Sequence, residues 1–301
     1  MRFKEIVISE LVYWQFYNYF PTTVELWLVL PFKVDYSKFL SKIRQINGIS
    51  LVNDAGEFRV VLNKYKKTFF QFLKKQRIFK LKTSQLRLKY FLILAQRLGF
   101  VSLIGLSGSL AYGIAKESDD FDLFIITKEN RLWLSRFLLN VFAFMLCLKR
   151  KRKVKLAKDK VCLNLFFDLK SLGIAKSKQT EFVAREIINL KVLYDENKTW
   201  FKFVQNNKWV FSYFPNFKTW FYSAWHKKYN ENKKREQGMV FKLIFDYLNL
   251  ILGKVQLLKI KLNKLNKERI LKYQLWFHPD DFETKYISLR NRALRLSKDS
   301  Y

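Results

Sequence analysis

Two histidines and two cysteines among 301 residues leave too little material for a histidine metal cage, a cysteine zinc site or a disulfide framework. Cys147 and Cys162 are the whole cysteine complement, a usage that fits a reducing compartment. Proline (4) and glycine (9) are also scarce, and no Gly/Ser-rich or Pro-rich linker interrupts the chain. Acidic residues are the minority, 25 against 57 Lys plus Arg, for a formal net charge of +32. Long apolar runs are missing too. The most membrane-like stretch, Leu132 to Leu148, is broken by Ser135, Arg136 and Asn140 and falls short of the ~20 residues a span needs. It reads as a buried amphipathic helix. The opening MRFKEIVISEL carries Glu5 and Glu10 where a signal peptide requires an unbroken apolar core. A cytoplasmic protein without a transmembrane segment is expected. No Walker motif, dinucleotide fingerprint or Ser/His/Asp set is visible.

What is present is apolar and aromatic: 50% hydrophobic residues, with 30 Phe, 15 Tyr and 8 Trp. Such a chain buries a substantial core and is no disordered segment. Its positive surface attracts polyanions, with nucleic acid, nucleotide phosphates and anionic membranes as the natural partners. Lys, Phe, Ile, Asn and Tyr are enriched together, as AT-rich coding produces, so charge by itself assigns none of them.

The length allows about two domains. Residues 1–62 read as helix (5–19), helix (24–30, after Pro21 and a Thr22 or Thr23 cap), helix (38–45, capped by Asp35 or Ser37) and a hairpin. Its strands, 49–52 and 58–62, flank Asn53-Asp54-Ala55-Gly56. This is the pattern of a winged-helix-like domain whose third helix offers Lys38, Lys42 and Arg44 to phosphates; use of the same unit for protein packing alone is an equal alternative. Residues 63–99 form a connector of one long helix or two stacked ones, leading a central unit that extends to residue 218. Residues 219–301 are basic and helical, and the apolar stripe of Lys242 to Leu262 reads as core, with a membrane anchor as the alternative.

The chemistry concentrates in Val101 to Thr127, VSLIGLSGSLAYGIAKESDDFDLFIIT. An apolar strand, Val101–Leu106, runs into Ser107-Gly108-Ser109 and a short helix from Leu110. Backbone N–H groups freed at such a turn point toward an anion, Gly108 lets a phosphate approach, and Ser109 adds a hydroxyl. Asp120 and Asp122 follow at the start of a second strand. Alternation puts them on one face with Phe124 and Ile126, while Phe121, Leu123 and Ile125 face the core. Two carboxylates so placed suit a pair of Mg²⁺ ions about 3.5–4 Å apart, the arrangement that phosphoryl and nucleotidyl transfer require. Asp119 faces the other way and suits a turn cap.

The combination GSLAYGIAKESDDFDL, through Gly108, Ser109, Gly113, Asp120, Asp122 and Leu123, resembles the DNA polymerase beta-like nucleotidyltransferase superfamily. The resemblance implies an α+β fold: a nucleotidyltransferase core of a small mixed sheet with helices, here preceded by the winged-helix unit and followed by the helical C-terminal region. It also implies triphosphate binding by Gly108 and Ser109 and metal binding by Asp120 and Asp122. The flanking pieces LVYWQFYNYFPTTVEL, KVCLNLFF, AREIINL, NKWVFSYFPNF and FHPDDF look like a bacterial group that couples an N-terminal winged helix to this core.

Most of the superfamily carries a third carboxylate on a later strand. Here that strand is VCLNLFFDL, Val161–Leu169, whose even positions are Cys162, Asn164, Phe166 and Asp168. Asn164 stands where the acid is expected. Asp168 is the carboxylate on that face but lies about 13 Å further along, so the third group is Asp168, the preceding Asp159, or absent. His278-Pro279-Asp280-Asp281 reads as helix-start capping, and His226, among Trp220, Trp225, Lys227 and Lys228, as packing. The expected function is Mg²⁺-dependent transfer of a nucleoside monophosphate from an NTP such as ATP to an unidentified hydroxyl, with Asp168 as the candidate base. The alternative is a weakly active or inactive nucleotide- or nucleic-acid-binding regulator acting through the winged helix and binding RNA or DNA.

Overall fold

Pro21 and the threonines after it break the first helix from the second. α1 (Phe3–Gln15) stops four residues before the expected end, and Asn18 turns the chain through a left-handed conformation. Thr22 then caps α2 (Thr23–Leu28) in a reciprocal box: its hydroxyl accepts from the Glu25 N–H at 3.1 Å, and the Glu25 carboxylate accepts from the Thr22 N–H at 2.7 Å. α3 (Tyr36–Arg44) follows, with Asp35 at its N-cap position but without a side-chain cap bond. β1 (Ile49–Asp54) and β2 (Glu57–Leu62) pair antiparallel across Ala55-Gly56, both at positive φ, as a two-residue turn requires. A bridge between Thr22 and Arg59 adds a third extended segment to this hairpin.

The structure, a computed structural model, describes residues 3–83, 86–111, 119–150, 159–225, 239–262, 270–277 and 281–299. After the hairpin come α4 (Lys66–Thr83), α5 (Leu86–Arg97), β3 (Val101–Leu106), α6 (Gly108–Ala111), β4 (Phe121–Thr127), α7 (Leu132–Met145) and β5 (Val161–Asp168). The chain continues through α8 (Glu181–Ile188), β6 (Lys191–Asp195), α9 (Thr199–Gln205), α10 (Val210–Tyr213), α11 (Pro215–Trp225) and α12 (Met239–Leu262). It closes with β7 (Ile270–Leu271), β8 (Gln274–Trp276) and α13 (Asp281–Asp299).

The fold is mixed α+β around a six-stranded sheet of order β6-β3-β4-β5-β8-β7. Strand β4 runs antiparallel to β3 and parallel to β5. Alternation splits its side chains between two cores: Phe124 and Ile126 join one with α1, α8 and α9, and Phe121, Leu123 and Ile125 join the other with α5 and α7. Gly105 of β3 permits close packing, since a Cβ there would stand 2.6 Å from Leu190.

Apolar packing crosses the divisions expected at residues 62/63 and 218/219. One apolar cluster runs from Val7 to Ala293. The buried Asn216 amide accepts from the Val34 N–H and donates to the Trp27 and Phe32 carbonyls, at 2.9–3.0 Å. β8, inside the region expected to be helical, pairs with β5 in the central sheet. Buried ion pairs add a further link. Glu10 of α1, fully buried, takes Arg185 of α8 at 2.8 Å on both oxygens and also pairs with Arg290 of α13. Tyr286 of α13 accepts from Arg185 and donates to Glu181.

α12 departs most from expectation. Its polar side chains turn inward: Asn249 accepts from the Trp133 and Leu134 N–H groups, Gln256 joins Arg136 and the Trp133 carbonyl, and Asp246 pairs with Arg131. Gly253 sits under the Trp133 ring. These bonds share the packed face with Ile260, Leu252 and Leu257, which join the core that holds Phe121, so the stripe expected in the core is split, and Tyr247, Leu258 and Leu262 point outward. α7 meets expectation as a partly buried amphipathic helix. Among the described residues no helix is long and apolar enough to cross a membrane.

Candidate functional site

The C-terminal end of β3 and the N-terminal ends of β4 and β5 lie side by side, because β3 and β4 are antiparallel while β4 and β5 are parallel. Ser107 ties the first two together, its N–H donating to the Asp122 carbonyl at 2.9 Å. At this edge Asp120, Asp122 and Cys162 bring ligand atoms within 4.8 Å of one another. No other group of three such side chains forms among the described residues. The register Asp122↔Cys162 puts the thiol directly beside the carboxylate.

Gly108 fits this edge for two reasons. Its φ is +66°, in the left-handed region, and a Cβ would approach Asp122 Oδ2 to 2.8 Å. The backbone of the turn therefore lies against the carboxylate. α6 is a single turn here, so proximity to Asp122, more than a helix macrodipole, defines the spot. Ser109 donates to Asp119 Oδ2 at 2.9 Å, and Asp119 thus braces the turn as expected. Gly113, His226 and His278 lie outside the described residues.

Burial raises the Asp122 carboxyl to about 7, and repulsion from Asp120 adds to it. A hydrogen bond from Cys162 and the charge of Arg150 oppose the rise, while Glu186 of α8 contributes a weaker repulsion. Burial, with the two aspartates beside it, drives the Cys162 thiol far above its ordinary range, so it stays protonated. Arg150 donates to Asp120 Oδ2 at 2.5 Å and to Cys162 Sγ at 3.5 Å. The Lys149–Val161 bridge and the bond from the Val161 N–H to the Leu148 carbonyl hold this segment beside β5.

Asp168 is not brought to this site. It pairs in register with Thr127, at the opposite end of β4 from Asp122. An irregularity between the Asp122↔Cys162 and Phe124↔Leu165 pairs inserts a residue into β5 at Leu163-Asn164, which reverses the alternation. Leu165 and Phe167 consequently join the core that holds Phe124, and Phe166 joins the one that holds Phe121. The single even face expected for Cys162, Asn164, Phe166 and Asp168 does not exist. Asp168 is buried and accepts from the Lys170 N–H at 3.0 Å. Burial raises its carboxyl to about 6, against backbone donors at Lys170, Arg131 and Asn130. Asp159, at positive φ before β5, is not in the cluster.

Sequence reasoning missed Cys162 as the neighbour of Asp122 and Arg150 as the cation on Asp120. Lys149-Arg150, the start of a basic run before a strand, was the available signal. Comparison with protein-family models, curated proteins and solved structures returns no match.

Proposed function

We propose that this chain is a nucleotidyltransferase of the DNA polymerase beta-like class, moving a nucleoside monophosphate from an NTP to a hydroxyl acceptor. The observation that carries the reading is the convergence of Asp120 and Asp122 beside the Gly108 backbone at an accessible sheet edge. Two carboxylate oxygens suit Mg²⁺, which takes one or two carboxylates plus substrate phosphates; the protonated Cys162 thiol is too soft to add to that set. Bound Mg²⁺ would neutralise the triphosphate charge. Asp120 and Asp122 hold the cation, and Gly108 with Ser109 receives phosphate oxygens. Arg150 donates to Asp120, and its planar fork suits phosphate oxygens equally.

The test is thermal unfolding with and without Mg²⁺-NTP, together with turnover of each labelled NTP in the presence of cell RNA, DNA and protein. Ligand at 100 Kd stabilises by about 2.7 kcal/mol, and the joint change Asp120→Asn, Asp122→Asn removes that gain. An undiminished gain in the double variant places the nucleotide elsewhere.

Cys162 in place of a third carboxylate favours a second reading, nucleotide binding without efficient transfer in a nucleic-acid regulator. The three helices and hairpin of residues 3–62 then serve as a winged helix whose α3 presents the exposed Lys38, Lys42 and Arg44. In the full chain, Gln at all three positions lowers the salt slope of RNA or DNA binding by about one per lost phosphate contact. An unchanged slope removes this reading.

A further inference from the structure

α12 is apolar on both sides, more than a helix resting on a water-exposed surface requires. Its packed side carries Leu252, Leu257 and Ile260 in the core, with the polar residues Asp246, Asn249 and Gln256 engaged with α7 or the turn before it. Its outer side carries Tyr247 at 65% exposure, Ile251 at 38%, Leu258 at 60% and Leu262 at 84%, flanked by Leu243, Leu250 and Val255. At 1.5 Å per residue this stripe extends for about 30 Å. Stray exposed leucines need no explanation, but a continuous apolar face of this length does.

Charge selects the occupant. Asp246 is the acid of this helix, and Arg131 holds it inward. Lys242, Lys254 and Lys259 are exposed along the same helix, so the charges left at the outer side are positive. A second copy fits poorly, since two chains of +32 repel and pairing would set lysines against lysines. A helix of this length with apolar side chains outward and lysines at its margins is suited to lie in the plane of an anionic bilayer, with its rings and aliphatic chains among the acyl chains and its ammonium groups on lipid phosphates. The proposed placement is in the plane of the surface; among the described residues no helix is long and apolar enough to cross a membrane.

We propose that α12 docks this protein onto the surface of anionic phospholipid membranes. The inference stands apart from the nucleotide reading, because none of the carboxylates at the sheet edge takes part. The test is co-sedimentation of the full chain with vesicles of phosphatidylcholine alone or mixed with phosphatidylglycerol. The wild-type chain should partition onto the anionic vesicles and weakly onto the neutral ones. Tyr247→Gln, Ile251→Gln and Leu258→Gln together should weaken that partition about tenfold or more, with circular dichroism and thermal unfolding unchanged because these side chains already face solvent. Lys254→Gln should weaken it by about fivefold. Absence of vesicle binding, or equal binding by the triple variant, overturns the proposal. A dimer in wild-type sedimentation that the triple variant dissolves, without vesicle binding, assigns the face to a second copy instead.

Discussion

Two clusters of carboxylates, each partly shielded from solvent, stand in contrast. Between α1, α8 and α13, burial by itself would raise the Glu181 carboxyl, but Arg185, the Tyr286 hydroxyl and Arg290 hold it below its ordinary value. At the sheet edge, Asp122 is raised to about 7, with Asp120 as a like-charged neighbour and Arg150 directed mainly to Asp120. One cluster has its charges matched by neighbours of opposite sign and joins three helices. The other retains an unmet demand for positive charge. The difference teaches that burial alone does not set the state of a carboxylate; the charges and donors that face it do.

Breaking the first cluster should have the largest effect. Glu10→Leu removes the carboxylate that meets Arg185 with both oxygens and leaves that buried guanidinium to Glu181 and Tyr286, and urea unfolding should show a loss of roughly 3–5 kcal/mol. Adding Arg185→Met should restore much of it, because the under-compensated buried charge is then gone. A loss below 1 kcal/mol for Glu10→Leu would erase the contrast between the clusters.

Gly108→Ala should cost about 1–2 kcal/mol for its left-handed backbone, and the Cβ contact with Asp122 should also displace that carboxylate. Stabilisation by Mg²⁺-NTP should fall in the same thermal assay. Ala tolerated with full stabilisation would separate the turn from the site.

Asp122→Asn should act in the opposite direction on the ligand-free protein. A folded-state value near 7, above the ordinary 3.8, means that the folded chain holds this proton more tightly than the unfolded one. The stability it contributes is present below about pH 4 and lost as pH rises through about 7. At pH 8 the Asn variant should therefore melt higher, by a few degrees roughly. An unchanged or lower Tm at pH 8 would show Asp122 already compensated.

The smallest effect concerns Asp168, whose raised value of about 6 carries the same sign over a narrower window. Asp168→Asn should flatten the fall in stability between about pH 4 and 6 while Mg²⁺-NTP binding stays at the wild-type level. Loss of binding on this change would return Asp168 to the site.

Local signals were legible where a few neighbouring residues decide the outcome. The sequence reads β3 to the residue, the α2 cap to Thr22 or Thr23, and Asn53–Gly56 as a turn, since capping and left-handed backbone are short-range matters. Asp120 and Asp122 were placed together by strand alternation alone. Asp168 was misplaced because one extra residue in β5 reverses the alternation, and nothing in VCLNLFFDL announces a bulge. The short β8 escaped notice because its residues, Gln274–Trp276, find their strand partners about 110 positions earlier in the chain.

The sequence by itself determined a large aromatic core, a strongly positive chain, the Gly108-Ser109 turn and the Asp120–Asp122 pair on one strand face. These follow from composition and from periods of two to four residues. The tertiary structure alone decided that Cys162 and Arg150 complete the surroundings of those aspartates, that α13 is bound to α1 through Glu10, and that α12 packs Asn249 and Gln256 inward while Tyr247 and Leu258 stay outside. Each of these depends on side chains distant in sequence satisfying one another's charge and hydrogen bonds, and local periodicity carries no record of which distant group will be there.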